Sequence, residues 1–295
     1  MKDFVIYTVL VGDYDDIMQP VVTDGRFDYV LFSNNILETN FGVWNVRPIP
    51  NVIENDNKRL SRYPKTHPET MLSEYKASLY IDANIQIQDQ WVYDRFVELY
   101  NQRVEFAGVK MVLTGRDCIY DHAFDMCFWV VEHDYNAVKQ CHELYKRGFP
   151  RHFGLNENNL IYRIHTHKMR SADEEWWDWI VNYSFRDQFS YMYCLWKYNV
   201  ELNYFLPIGE DTRNSKHLRL NNHDGRTSVI RKKIIQRSLI ERLRIKSKSF
   251  NLNGSLVRWH SIYTSSNPVT FLYLDGFLTI IKNIPNLIKT FFNSK

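Results

Sequence analysis

The stretch Tyr75-Lys76-Ala77-Ser78-Leu79-Tyr80-Ile81-Asp82-Ala83-Asn84-Ile85-Gln86-Ile87 decides the fold. From Ala77 to Ile81 it is apolar and rich in strand formers. It stops at an acidic residue, and a carboxamide follows two positions later. Apolar alternation then resumes at Ile85, Ile87 and Trp91. A short apolar run bounded in this way predicts a buried strand. In open α/β sheets, ligands gather beyond the carboxyl ends of the strands. Two oxygen-bearing side chains at i and i+2 of such a tip, Asp82 and Asn84, suit a hard divalent cation. Magnesium and manganese take oxygen ligands and complete their shells with substrate phosphates. The competing reading is an acidic strand end with Asn in the turn, where both residue types are favoured for conformational reasons.

Outward from this strand, residues 4–11 form a first buried strand that ends in Gly12-Asp13-Tyr14-Asp15-Asp16. Tyr29 to Phe32 is a second strand, and a third surrounds Trp44 to Val46. Residues 55–63 carry Lys58, Arg59 and Arg62 at helical spacing, with Pro64 and Pro68 expected to break that helix before a further turn at 69–75. A helix over 90–101, a strand over 106–112 and a mostly helical stretch over 120–147, stopping at Gly148, come next. The loop Gly154 to Asn159 precedes an apolar stretch. Helices over 173–182 and 187–199 and a late strand at 202–206 complete the body. Strands alternating with helices predict an α/β fold with a layered, largely parallel sheet.

A chain of 295 residues, 44% hydrophobic and 15% aromatic, has ample material for a core and excludes a disordered class. The net charge of +3 hides an asymmetry. Residues 226–248 hold nine Lys/Arg against one Glu, so the rest of the chain is mildly acidic. Cys118, Cys127, Cys141 and Cys194 form no Cys-x-x-Cys pair, which predicts buried thiols in a reducing, cytoplasmic compartment. The first apolar run is short and lacks a small-residue cleavage site, so it reads as a strand and not a signal peptide. No stretch reaches the length of a spanning helix. In 226–247 and again in 268–295, apolar residues at helical spacing (Ile230, Ile234, Leu239; Phe271, Leu274, Leu278) sit beside a cationic flank. Such a pattern lies in an anionic membrane interface or caps a domain with its lysines in water.

Several segments occur together in a fixed order: Tyr7-Thr8-Val9 with Gly12-Asp13-Tyr14-Asp15, Asp28 to Ser33, Arg59-Leu60-Ser61-Arg62-Tyr63-Pro64-Lys65, and Tyr80 to Asn84. Arg116 to Tyr120, Gly154-Leu155 with Glu157-Asn158-Asn159, Trp176-Trp177 and Arg186-Asp187-Gln188 follow. The set resembles a glycosyltransferase-like family long catalogued as a domain of unknown function, with bacterial surface-polysaccharide and plant cell-wall members. More distantly it is similar to GT-A transferases of the glycogenin type. The resemblance spans roughly residues 4–225 and implies a Rossmann-like GT-A domain over 1–225, followed by a basic amphipathic helical extension over 226–295.

What the resemblance implies is a transferase that moves sugar from a nucleoside-diphosphate sugar, UDP-sugar first, to a glycan or lipid-linked saccharide. The product would be a bacterial surface polysaccharide, capsule or lipopolysaccharide, made at the cytoplasmic face of the membrane. Asp82 matches the first acidic position of the metal motif for Mn2+ or Mg2+. Asn84 replaces a second Asp and so removes one negative charge from the site. A late His, His223 before His217, is implied as third ligand. Tyr7, Thr8, Gly12 and Tyr14 match the loop around the base and ribose, where an aromatic stacks and glycine admits close approach. Arg59, Arg62 and Lys65 are placed to pair with the diphosphate. Asp187 and Gln188 match a pair near the sugar donor. A carboxylate there orients or deprotonates the acceptor hydroxyl, or stabilises an oxocarbenium-like transition state. The competing reading of Asp187 is a carboxylate satisfying helix N–H groups. His122, Glu157, Asn158, Trp176 and Trp177 are the acceptor-side candidates, the tryptophans with core packing as their alternative. Two rivals stand beside this reading. One is a metal-dependent hydrolase using the same carboxylates. The other is a non-catalytic binder of polyanions or membranes through 226–248, with no nucleic-acid motif to accompany it.

Overall fold

The computed structural model describes residues 2–12, 15–112, 117–120, 122 and 134–221. Tyr14, Cys127, His223 and the whole of the 226–295 extension lie outside the described residues. Two compact units separate: one holds the residues up to Asp117 and from Phe153 to Asp224, the other contains 118–152.

The first unit is built on an eight-stranded sheet. Its strands are β1 (Phe4–Leu10), β2 (Phe27–Ser33), β3 (Asn40–Phe41), β4 (Trp44–Pro48), β5 (Ala77–Ile81), β7 (Phe106–Gly108), β8 (Leu160–Ile164) and β9 (Asn203–Tyr204). In space they run β3-β4-β2-β1-β5-β8-β7-β9. The pairs β1–β2, β1–β5, β2–β4 and β7–β9 are parallel. The pairs β3–β4, β5–β8 and β7–β8 are antiparallel. The sheet is therefore mixed and mostly parallel, consistent with a Rossmann-like α/β fold. The reversals fall at β8 and at the edge strand β3. A second, two-stranded antiparallel sheet joins β6 (Ile85–Ile87) to β10 (Leu218–Leu220).

β5 is buried at all its positions, as expected of a central strand covered on both faces. Side chains alternate across it. Ala77, Leu79 and Ile81 join one core with Ile6, Leu31 and Tyr162. That core is closed by helix α4 (Trp91–Asn101), whose Val92, Tyr93, Phe96 and Leu99 share its buried face. Phe96 meets Phe27 and Tyr162 with ring centroids 4.9 and 4.8 Å apart. The same alternation sends Tyr7, Tyr80, Arg163 and Asp82 to the opposite face, which becomes polar toward the strand ends. That face is covered by helix α6 (His167–Asn182), whose first turn is capped by Thr166 Oγ1, accepting from the Met169 N–H at 3.2 Å.

Three one-turn helices lead into β5: α1 (Asn57–Leu60), α2 (Tyr63–Thr66) and α3 (Pro68–Met71). Here the expectation is corrected. Pro64 and Pro68 do not simply end a helix. Each sits in the first turn of a new one, where the missing N–H has no intrahelical acceptor to lose. The strand expected over 106–112 is also shorter. Beyond Gly108 only an isolated bridge, Lys110 with Asn156, continues it. The helix expected from 187 divides into a 3-10 turn, Asp187–Phe189, and α7 (Tyr191–Lys197).

In the second unit, α5 (Asp134–Lys146) stops where the sequence predicts. Gly148 takes φ of 77°, and the N–H groups of Gly148 and Phe149 donate to the carbonyls of Tyr145 and Leu144. This closing turn leaves the last carbonyls satisfied. Cys118 and Cys141 here, and Cys194 in the first unit, are buried and form no disulfide among the described residues, in line with the expected thiols.

Candidate functional site

At the end of β5 the ladder continues for one more bond, the Asp82 N–H donating to the Asn159 carbonyl at 2.9 Å. The chain then turns, with the Ile85 N–H on the Asp82 carbonyl at 2.9 Å. Tyr80 and Asp82 share a face, being two residues apart, and the Tyr80 phenol donates to Asp82 Oδ1 at 2.6 Å. Burial raises the Tyr80 pKa well above its usual value, and the Asp82 charge adds to the effect, so the phenol stays a donor. The Asp82 side chain remains 37% exposed.

Against this tip the one-turn helix α2 places Lys65, which is 2% exposed. Its ammonium donates to Asp187 Oδ2 at 2.5 Å, stands 3.9 Å from Asp82 Oδ1, and lies 4.6 Å from the centroid of the Tyr80 ring. Arg62, one turn earlier, brings Nε to 3.6 Å from the same Asp187 oxygen. Burial disfavours ionisation of Asp187, but Lys65 and then Arg62 outweigh it and hold the carboxyl below the ordinary range. Asp187 opens the 3-10 turn, and its backbone carbonyl accepts from Trp176 Nε1 at 2.8 Å. One buried ammonium thus faces two carboxylates, brought from 65, 82 and 187 in the chain.

Beneath Lys65 lies a fully buried guanidinium. Arg163 donates to Asp173 Oδ2 at 2.7 Å, to the Tyr7 hydroxyl at 2.5 Å and to the Lys65 backbone carbonyl at 2.8 Å. A charge at this depth persists because it is paired and hydrogen-bonded. Glu69 is buried beside Asp173. Burial first, and the Asp173 charge next, push the Glu69 carboxyl upward, so Arg163 and Asp173 form the charged pair and Glu69 carries a proton. Arg163 therefore anchors the backbone that carries Lys65.

The other candidates are distributed as follows. Tyr7 is wholly buried, its ring packed between Phe32 and Tyr80, and Thr8 is buried too, so neither presents a face to a ligand. Gly12 takes φ of 64° and donates to Asn34 Oδ1. Arg59 is spent on the end of α6: it pairs with Asp56 and donates to the carbonyls of Ile180 and Tyr183, both at 2.8 Å. Gln188 is half-buried in the turn after Asp187. Trp176 is fully buried and stacked on Tyr191 at 3.7 Å, a packing and positioning role. Trp177 is half-buried and meets Tyr63 and His67 edge-on. Glu157 is buried and paired with Arg213, and it accepts from Asn159 Nδ2 at 3.2 Å. Its neighbour Asn159 is the residue that pairs with Asp82, which ties this loop to the strand tip; Asn158 is buried between them in sequence. His122 belongs to the second unit, where its N–H donates to the Cys118 carbonyl.

Asn84 is buried, its Nδ2 donating to the Asn221 carbonyl at 2.7 Å and its own carbonyl accepting from the Asn221 N–H. His217 bonds Asp89 at 2.8 Å and stacks on Trp91 at 4.2 Å. The described donors fit a divalent cation poorly. Asp82 offers one carboxylate, Asn84 supplies a neutral amide in place of a second carboxylate, and an ammonium already stands beside Asp82. Among the described residues no three His, Cys, Asp or Glu side chains are grouped to hold an ion. Nor is any helix among them long and apolar enough to cross a membrane.

Four residues of the site were not singled out from the sequence: Tyr80, Arg163, Asp173 and Glu69. Arg163 has a visible signal, a lone charge inside the apolar run Leu160-Ile161-Tyr162-Arg163-Ile164. No family model matches the chain, and a search of curated proteins finds no match.

Proposed function

We propose that this chain is a GT-A-type glycosyltransferase. It takes sugar from a nucleoside-diphosphate sugar and adds it to a glycan or lipid-linked saccharide of a bacterial surface polysaccharide. The observation that carries the reading is the meeting of Asp82, at the tip of the central strand, with Asp187 across the Lys65 ammonium. The motif order adds support, since Arg62, Lys65, Asp82 and Asp187, drawn from three separate motifs, converge in space.

In the transfer, the bond between the sugar C1 and the diphosphate oxygen breaks and its electron pair leaves with the nucleoside diphosphate. The acceptor hydroxyl oxygen forms the new bond at C1 and gives up its proton to the departing diphosphate oxygen. Lys65 and Arg62 are suited to the departing phosphate charge, and the anionic Asp187 to the positive charge that develops on the sugar. A carboxyl held below its usual pKa is a weak base, so electrostatic stabilisation suits Asp187 better than proton abstraction.

The test is a panel of UDP- and GDP-sugars offered with saccharide acceptors, with release of nucleoside diphosphate as readout. Acceptor-dependent release from at least one donor is expected. A chain that neither binds nor turns over any member of the panel would sink the proposal.

A further inference from the structure

We infer that the Lys65 ammonium takes the part usually given to a divalent cation, so that nucleoside diphosphates bind this chain without metal. The inference rests on the transferase reading and concerns the same site. Three features of the geometry support it.

First, Lys65 is not a surface lysine that visits the site. It is buried, held at 2.5 Å by Asp187, backed by the Tyr80 ring, and its main chain is fixed by Arg163. An ammonium on a fixed stem offers the same preorganised charge as a bound ion. Second, its charge competes for the space an ion would need. A cation at about 2.1 Å from Asp82 Oδ1 would lie within roughly 6 Å of Nζ, because Nζ is itself 3.9 Å from that oxygen. Like charges at that range, in a half-buried site, oppose each other. Third, the second donor position is neutral and inward. Asn84 is a buried neutral amide, so the tip presents one negative charge where a divalent ion calls for more.

The balance of charge agrees. Lys65, Arg62 and Arg186 all act on Asp187, and Lys65 also stands 3.9 Å from Asp82, so positive charge is concentrated at the two carboxylates. A diphosphate arriving there would draw the Lys65 ammonium from Asp187.

The test uses the full-length protein, titrated with UDP and with GDP in the presence of EDTA and, separately, of Mn2+. Melting temperature and heat of binding are both followed. Binding in EDTA is expected to match that in Mn2+ to within about threefold, and Lys65→Met to weaken it at least about tenfold, with Lys65→Arg recovering part. Binding that appears only with Mn2+ overturns the inference while leaving the transferase reading intact. So does a cooperatively folded Lys65→Met protein that binds as the parent does. If Lys65→Met does not fold, the chelator comparison on the parent chain still decides. Failure of both nucleotides in both buffers overturns the transferase reading, and this inference with it.

Discussion

At Glu69, burial and the neighbouring Asp173 both disfavour ionisation, and the carboxyl is pushed up to about 8. The unfolded chain releases this proton in the ordinary carboxylate range, so above that range the folded state binds more protons. Stability therefore falls as pH rises toward the folded value. His165 works in the opposite sense. Burial lowers it to about 4, so its contribution is present above the ordinary histidine value and is lost as pH falls. Burial also pushes Asp173 up to about 6, so above about pH 6.5 both the histidine and Asp173 contributions level off and Glu69 dominates. We expect the unfolding free energy from urea titrations to decline between about pH 6.5 and 8, with a slope approaching 1.4 kcal/mol per pH unit, and Glu69→Gln to flatten it. A second expectation concerns Asp187. Asp187→Asn should lower the rate of transfer by roughly 10²–10³ and preserve nucleotide binding, read by turnover against melting shift. A third concerns Arg163. Arg163→Met strands the buried Asp173 carboxylate and should cost about 3–5 kcal/mol, measured by denaturant unfolding.

Among the elements, α2 shows how a single helical turn positions chemistry. Arg62 at its cap and Lys65 within it are three residues apart and so share a side. Both approach Asp187. That much was legible in the sequence, because the spacing and the basic residues are local. The partner was not, since 122 residues separate Lys65 from Asp187 and nothing in one chain's pattern fixes which carboxylate lies opposite. The prolines misled for a related reason: position within a turn decides whether Pro ends a helix or opens one, and the apolar period was too short to place the turn. Arg59 divides the phosphate-binding expectation from a capping role. Arg59→Met removes two bonds to the end of α6 and should cost about 1.5–3 kcal/mol in stability, with nucleotide affinity unchanged. Loss of affinity without loss of stability would return Arg59 to the phosphates.

For the molecule as a whole, the left half of the sheet followed from the apolar runs. Each strand of β1, β2, β4 and β5 reads directly and all run parallel. The reversal at β8 did not, because apolar alternation carries no direction. The buried cluster around Arg163 escaped for the same reason that it is stable: its members come from β1, β8, α3 and α6, and only folding assembles them. The 226–248 segment is known from composition alone, and its nine Lys/Arg make a separate prediction. The triple variant R231Q, K232Q, K233Q should lose roughly a hundredfold in partition onto anionic vesicles, at about 1 kcal/mol per charge, measured by co-sedimentation at fixed salt.

Asp117 and Gly154 flank the 118–152 excursion, and the Gly154 N–H donates to the Asp117 carbonyl at 2.9 Å. Entry and exit are thereby fastened together at the sheet. That clasp holds the two ends of the segment together by main chain alone, whatever side chains the 118–152 segment carries.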